Sequence, residues 1–325
     1  MKWPFLGFMI GASIISVAPV SGDNGSEQIR SMRFDAKSPG QARMWQEKAR
    51  VKLYQLMMNG SKPEKCPANP RVINREEVAD AGYVIEELEL NSLPDRKVHA
   101  WIVTPGHVPE GGLPGVLALH GHSGTGEQIV RGEEIYWYGK AFAERGYVVA
   151  SLDIGQHEIQ HEGWSMMGER VWDALTVLDY MCDRPEVDES RVGTAGLSLG
   201  GESVMYVAAL DERLKIAVSS GWLTTIENMK TGHCPCWNFP GLEEHFDFSD
   251  IFACVAPRYL ITQIGRKEKA PGGFPLDIAQ KAFKEIQKAY KVFNAEENCY
   301  LDVHDSGHEF IGEVPFKWFD RVLKK

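Results

Sequence analysis

Ser198 lies in Gly196-Leu197-Ser198-Leu199-Gly200, a G-x-S-x-G stretch followed by Gly201. The run before it, 191–195, reads as a short strand, and the run after it, 202–210, reads as a helix. A serine on so sharp a strand-to-helix turn needs small neighbours, because the flanking chain packs closely. The turn then holds Oγ out at the end of a sheet. A hydroxyl is a poor nucleophile at neutral pH, so the serine needs a base and the base needs an orienting acid.

His308, in Asp305-Ser306-Gly307-His308-Glu309-Phe310, follows the last predicted strand and can lean over the sheet towards Ser198. His304 is its rival, but it ends the strand itself. For the acid, Glu268 stands three residues past Gly265, in the loop after the strand at 259–264. Asp277 is the second choice, although it opens a helix, where a first-turn acid is ordinary. Glu227 is a third. The order serine, acid, histidine is the one expected where a G-x-S-x-G elbow carries the nucleophile. Attack on an ester carbonyl builds charge on oxygen, which two backbone N–H groups must meet. Leu199 supplies one; the loop His120-Gly121-His122-Ser123-Gly124 supplies the other, placed at His122.

These groups need a scaffold. A helix opens at Ser38-Pro39, serine capping and proline in the first turn, and runs to Asn59-Gly60. Strand-like runs follow at 83–90 and 97–104, and from 116 onward strand and helix alternate. That alternation predicts an α/β fold: a mainly parallel central sheet, helices on both faces, and catalytic loops at the carboxyl ends of the strands. The stretch 222–250, rich in Trp, Phe, Pro and His, interrupts the alternation and reads as an aromatic-rich cap insertion. The expected organisation is a signal peptide at 1–22, an N-terminal extension with a helix at 23–82, and the catalytic domain at 83–325.

Composition narrows the function. The chain has 325 residues, 43% hydrophobic and 25% charged, which is ordinary for a globular protein. A net charge of -10 argues against nucleic-acid or anionic-membrane partners. Lys2 followed by an apolar run at 5–18 and small residues near Val20-Ser21-Gly22 reads as an export signal, too short for a stable membrane span. The expected location is therefore secreted or periplasmic. Six cysteines in an exported chain permit disulfides without specifying them. Cys234-Pro235-Cys236 beside His233 suggests a metal site, but no second Cys/His pair stands at metal-finger spacing, so a loop constraint is the expectation.

With these residues in place, the chain resembles α/β-hydrolases of the dienelactone-hydrolase-like and acetyl xylan esterase group. The resemblance runs from about Tyr83 to the C-terminus. It is carried by Leu119-His120-Gly121-His122, by Arg184-Pro185-Glu186-Val187-Asp188 leading into the elbow, and by His233-Cys234-Pro235-Cys236 with Pro240-Gly241-Leu242 and Ala256-Pro257-Arg258. It implies the α/β-hydrolase fold and a secreted carboxylesterase, with Ser198 as nucleophile and His308 as base. The substrate is then a small-molecule or carbohydrate ester, with no organic cofactor and no metal. Dienelactone hydrolases use cysteine, so serine favours the esterase branch. Where relatives often read Gly-x-x-Asp, this chain has Gly265-Arg266-Lys267-Glu268.

Three rival readings remain. His157-Glu158-Ile159-Gln160-His161 matches the zinc-peptidase pattern, which needs a helix and a third ligand such as Glu169. Its position after a strand predicts a loop instead. A serine peptidase of the prolyl-oligopeptidase kind would use the same triad beneath a much larger cap. A non-catalytic carbohydrate-binding role would use Trp164, Trp222 and Trp237.

Overall fold

The computed structural model describes residues 30–324. The expected signal peptide at 1–22 lies outside the described residues. Among the described residues nine strands form one sheet: β1 (Arg71–Val78), β2 (Tyr83–Leu93), β3 (Arg96–Pro105), β4 (Leu113–Leu119), β5 (Val148–Leu152), β6 (Val187–Leu197), β7 (Leu214–Ser220), β8 (Tyr259–Gly265) and β9 (Cys299–His304). Their spatial order is β1-β2-β3-β5-β4-β6-β7-β8-β9. The first three strands and the β3–β5 pair are antiparallel; every pairing from β5 through β9 is parallel.

The parallel strands are covered on both faces, so they read as apolar runs. Leu117 and Leu119 of β4 enter one core and Val116 and Ala118 the other, the period-2 alternation of a pleated strand. On the first face lie α1 (Pro39–Met57), α4 (Met166–Cys182), α5 (Leu199–Leu210), α8 (Phe248–Ala253) and α9 (Leu276–Val292). The second face carries α2 (Gly126–Arg131), α3 (Tyr138–Glu144) and α10 (Glu313–Leu323). Two short helices, α6 (Ile226–Met229) and α7 (Leu242–His245), belong to the cap insertion. In α10 the buried Phe316, Phe319 and Leu323 recur at three- and four-residue spacing, which fixes the face it presents.

Capping sets several boundaries. Ser38 Oγ accepts from the N–H of Gln41, and Pro39 fills the first helical position of α1. Gln46 of α1 donates to the carbonyls of Ala253 and Ala256, which ties this helix to the main body. The pattern 71–78, mostly exposed, gave no strand signal, yet β1 pairs with β2 and forms the sheet edge. Between β4 and β5 a short 3-10 turn, Glu134–Tyr136, precedes α3.

The winding direction reverses at β4: the chain moves to β5 on one side, then to β6 on the other. At such a reversal the loops leaving adjacent carboxyl ends diverge and leave a crevice. The loops after β4 and β6 carry His120–Gly121–His122 and Ser198 to that crevice.

Candidate functional site

Ser198 sits at the tip of the turn between β6 and α5, with φ 61° and ψ -122°. That left-handed backbone is strained for a residue with a side chain, and such strain persists only where surroundings enforce it. Here the Ser198 N–H donates to the carbonyl of Ser220 at the end of β7 (2.9 Å). Close packing explains the glycines. A Cβ on Gly200 would lie 2.1 Å from the Leu119 carbonyl oxygen, and one on Gly196 would lie 2.4 Å from that of Gly200. Neither position tolerates a side chain.

The loop after β4 presses on the same turn. A Cβ on Gly121 would lie 3.1 Å from Ser198 Cβ. His120, fully buried, holds this loop: its Nε2 accepts the Ile154 N–H (3.0 Å), so Nδ1–H is left to donate to the Gly121 carbonyl (2.6 Å). Burial lowers its pKa, in keeping with that neutral tautomer.

His308 and Glu268 meet. Nδ1 of His308 lies 3.1 Å from Oε2 of Glu268, which also accepts the Phe274 N–H (3.2 Å). The Glu268 side chain is 3% exposed and that of His308 37%, so an oriented imidazole faces the cavity backed by a buried carboxylate. Phe274 stacks on the imidazole at 5.6 Å. The β8 and β9 loops that carry the pair interlock, with Arg266 and Lys267 donating to the carbonyls of His304 and Ser306. On its other side the imidazole rests against Gly221, where a Cβ would fall 2.8 Å from Cε1. Ser198, Glu268 and His308 all line one cavity of about 470 Å³.

The alternatives fall elsewhere. Asp277 is exposed in the first turn of α9, and Glu227 is exposed in α6; neither lines this cavity. His304 ends β9 with Nδ1 buried and unpartnered. The stretch 157–161 is not helical, and its histidines part company. His157 faces Cys234, whereas His161 packs on Trp164 at 4.8 Å. Glu169 pairs with Arg96 (3.0 Å) and accepts the N–H groups of Gln160 and His161, so it anchors this loop. Trp222 and Trp237 do line this cavity, but with Trp164 they are only 2%, 5% and 8% exposed, so they pack the core and present no open sugar platform.

Two groups escaped the sequence reading. Gln263 of β8 makes four bonds, the full capacity of its amide. Its Oε1 accepts from Ser220 Oγ and the Ile311 N–H, and its Nε2 donates to Asp302 and the Ile311 carbonyl. It thereby joins the strand end that holds Ser198 to the segment behind His308. A buried glutamine inside an apolar strand was the available signal. The second group is Glu202, fully buried with neither oxygen partnered, yet bordering the cavity. Burial pushes its carboxyl up to about 8.

Sulfur and imidazole also border the cavity, through His122, Cys234 and Cys236, and His157 meets them from a neighbouring one. His122 Nε2 lies 3.0 Å from Cys236 Sγ, and His157 Nε2 lies 3.4 Å from Cys234 Sγ. Burial, with the nearby Arg170 cation, pushes His122 down to about 4. Burial also pushes the Cys236 thiol up to about 12, against the pull of Arg170. The neighbour suggested by sequence, His233, is turned to Asn228 and Phe274 instead. All six cysteines are free.

Residues 61–224, just over half of the chain, match the model of the acetyl xylan esterase (AXE1) family. The chain belongs to that family. Residues 150–308 also match an α/β-hydrolase (abhydrolase) family model. A putative hydrolase of Bacillus subtilis, YtaP, is 29% identical to the esterase over 287 residues, spanning 80% of this chain and 92% of the relative. A putative acetyl xylan esterase from Bacteroides fragilis superposes with a TM-score of 0.78 at 18% identity, covering 92% of both chains. A glucuronoyl esterase from Solibacter usitatus gives 0.67 at 15% identity, covering 88% of this esterase and 93% of that chain. The α/β-hydrolase fold and the ester-hydrolase class are thereby given. Among the described residues no helix is long and apolar enough to cross a membrane.

Proposed function

We propose that the chain is a secreted serine carboxylesterase that removes acetyl or similar acyl groups from carbohydrate esters through a Ser198–His308–Glu268 triad. One observation carries the reading: the His308–Glu268 hydrogen bond of 3.1 Å, at a cavity whose lining includes Ser198 on a strained turn. The family's description supports an acetyl ester as substrate.

In this mechanism Glu268 accepts from His308 Nδ1–H, which leaves the Nε2 lone pair free as a base. Nε2 takes the Ser198 proton as Oγ attacks the ester carbonyl. The carbonyl oxygen becomes an oxyanion, met by the backbone N–H groups of Leu199 and His122. Leu199 opens α5, so the helix N-terminus adds to that stabilisation. When the tetrahedral species collapses, the C–O bond to the alcohol breaks and His308 returns the proton to the departing oxygen. The acyl group then sits on Ser198. Water, deprotonated by His308, attacks it, and the carboxylic acid leaves as Ser198 recovers its proton. Residues 1–22 are proposed to direct export.

The test is turnover by the purified protein of acetylated sugars, longer acyl esters, glucuronoyl methyl esters and peptides. Acetyl esters should be cleaved, peptides should not, and Ser198→Ala should lose several orders of magnitude in kcat/KM with an unchanged fold. Turnover retained in that variant refutes the assignment.

A further inference from the structure

We propose that His122, His157, Cys234 and Cys236 form a binding site for a divalent transition metal of the zinc class, which staples the cap insertion to the loops after β4 and β5. The four ligand atoms lie within 4.8 Å of one another. In a tetrahedral zinc site, bond lengths of 2.3 Å to sulfur and 2.0–2.1 Å to nitrogen put neighbouring S and N atoms about 3.6 Å apart. The two sulfur–nitrogen separations here, 3.0 and 3.4 Å, are close to that edge. The imidazoles stand 5.4 Å apart with their planes 31° from parallel.

The donor set selects the metal. Two thiolates and two imidazoles suit zinc and its neighbours, whereas calcium or magnesium would need oxygen ligands, and the set holds no carboxylate. Binding releases one proton from each thiol as its metal–sulfur bond forms. Arg170 supports the anionic sulfur that results. Its guanidinium is fully buried, has Nε and Nη1 unpartnered, and is close enough to Cys236 to act on its charge. The proposed ester chemistry uses none of these four side chains. Four protein ligands complete a tetrahedron and leave no position for substrate, so the role is structural.

Such a staple has something to hold. The ligands come from three loops distant in sequence, and the cap between 222 and 250 carries only short helices. Cys234 and Cys236 border both the catalytic cavity and a neighbouring one of about 820 Å³, with His122 on the first and His157 on the second. The metal would thus fix the partition between them. This inference does not rest on the ester-hydrolase reading.

The experiment strips the full-length protein with chelator under thiol reductant, then titrates it with cobalt(II) and zinc(II). Expected are one cobalt per chain, the intense ligand-field bands of tetrahedral cobalt, a thiolate charge-transfer band, and displacement by zinc. Cys234→Ser and His157→Gln, both at exposed positions, should each weaken binding by more than about 100-fold, since losing even an outer partner of a metal ligand costs about 10–100-fold. Ser198→Ala should bind as the parent does, which separates failure here from failure of the catalytic proposal. Weak octahedral bands, unchanged affinity in Cys234→Ser, or a Cys234–Cys236 disulfide persisting under reductant would each overturn it.

Discussion

The two flanks of the Ser198 cavity use histidine in opposite ways. On one wall His308 is backed by the buried carboxylate of Glu268. On the other, His122 faces Cys236, and just behind it, on the neighbouring cavity, His157 faces Cys234. All three histidines follow parallel strands at their carboxyl ends, so the fold delivers them alike. Their neighbours set the chemistry. An acceptor behind Nδ1 fixes the tautomer that the proposed base needs, whereas a thiol in front of a neutral imidazole is the arrangement the proposed metal site needs. Position at the rim of the sheet therefore does not by itself assign a role.

The comparison breaks most sharply at His308. His308→Ala should lower kcat/KM on an acetyl ester by about 10⁴-fold or more, and adding Ser198→Ala should cost almost nothing further, because residues that act as a unit are not additive. Single-turnover kinetics of both single variants and the double variant check this. Independent, multiplying losses would mean that the two do not share one step. Next in size, Glu268→Gln keeps the shape but not the charge behind His308. A loss of about 10²–10⁴-fold in kcat with KM little changed is expected. Less than a tenfold loss would remove Glu268 from the role.

The two walls were also unequally legible. Chain order pointed to Ser198, Glu268 and His308 as neighbours, and they do line one cavity, because the fold brings successive strand ends to one rim and each candidate follows its own strand. The thiol–imidazole wall has no such order: its members meet from 122, 157 and 234–236 only after folding, and local spacing pointed to His233 instead. The apolar parallel strands were readable from their continuous runs. The edge strand β1 was not, because a mostly exposed strand carries no buried stripe. Glu202 stood in plain sight beside the elbow, but burial without a partner is a tertiary property.

Glu202 sharpens the contrast through stability. Its carboxyl is pushed up to about 8 by burial, from an ordinary 4.5. Between those values the native state keeps a proton that the unfolded chain releases, so the native state binds more protons and stability falls as pH rises. Below about 4.5 the group contributes its full stabilising effect, and that effect is lost as pH rises through about 8. The slope cannot exceed about 1.4 kcal/mol per pH unit. Glu202→Gln should remove this part of the pH dependence, so the variant gains on the parent as pH climbs. Urea unfolding of both proteins at pH 5 and pH 8 measures it. Parallel curves would place a charge partner or water at Glu202.

The smallest expected effect is the most discriminating control on the acid. Asp277 is exposed in the first turn of α9, where a carboxylate favours the helix N-terminus by about 0.3–1 kcal/mol at low salt. Asp277→Asn should cost no more than that in thermal unfolding, and less in high salt, because screening weakens a surface charge. Its kcat and KM should match the parent's, since Asp277 does not line the cavity. Set beside Glu268→Gln, the same loss of one negative charge then separates two acids nine positions apart. An activity loss in Asp277→Asn matching that of Glu268→Gln would show that negative charge in this region, not contact with His308 Nδ1, is what the histidine requires.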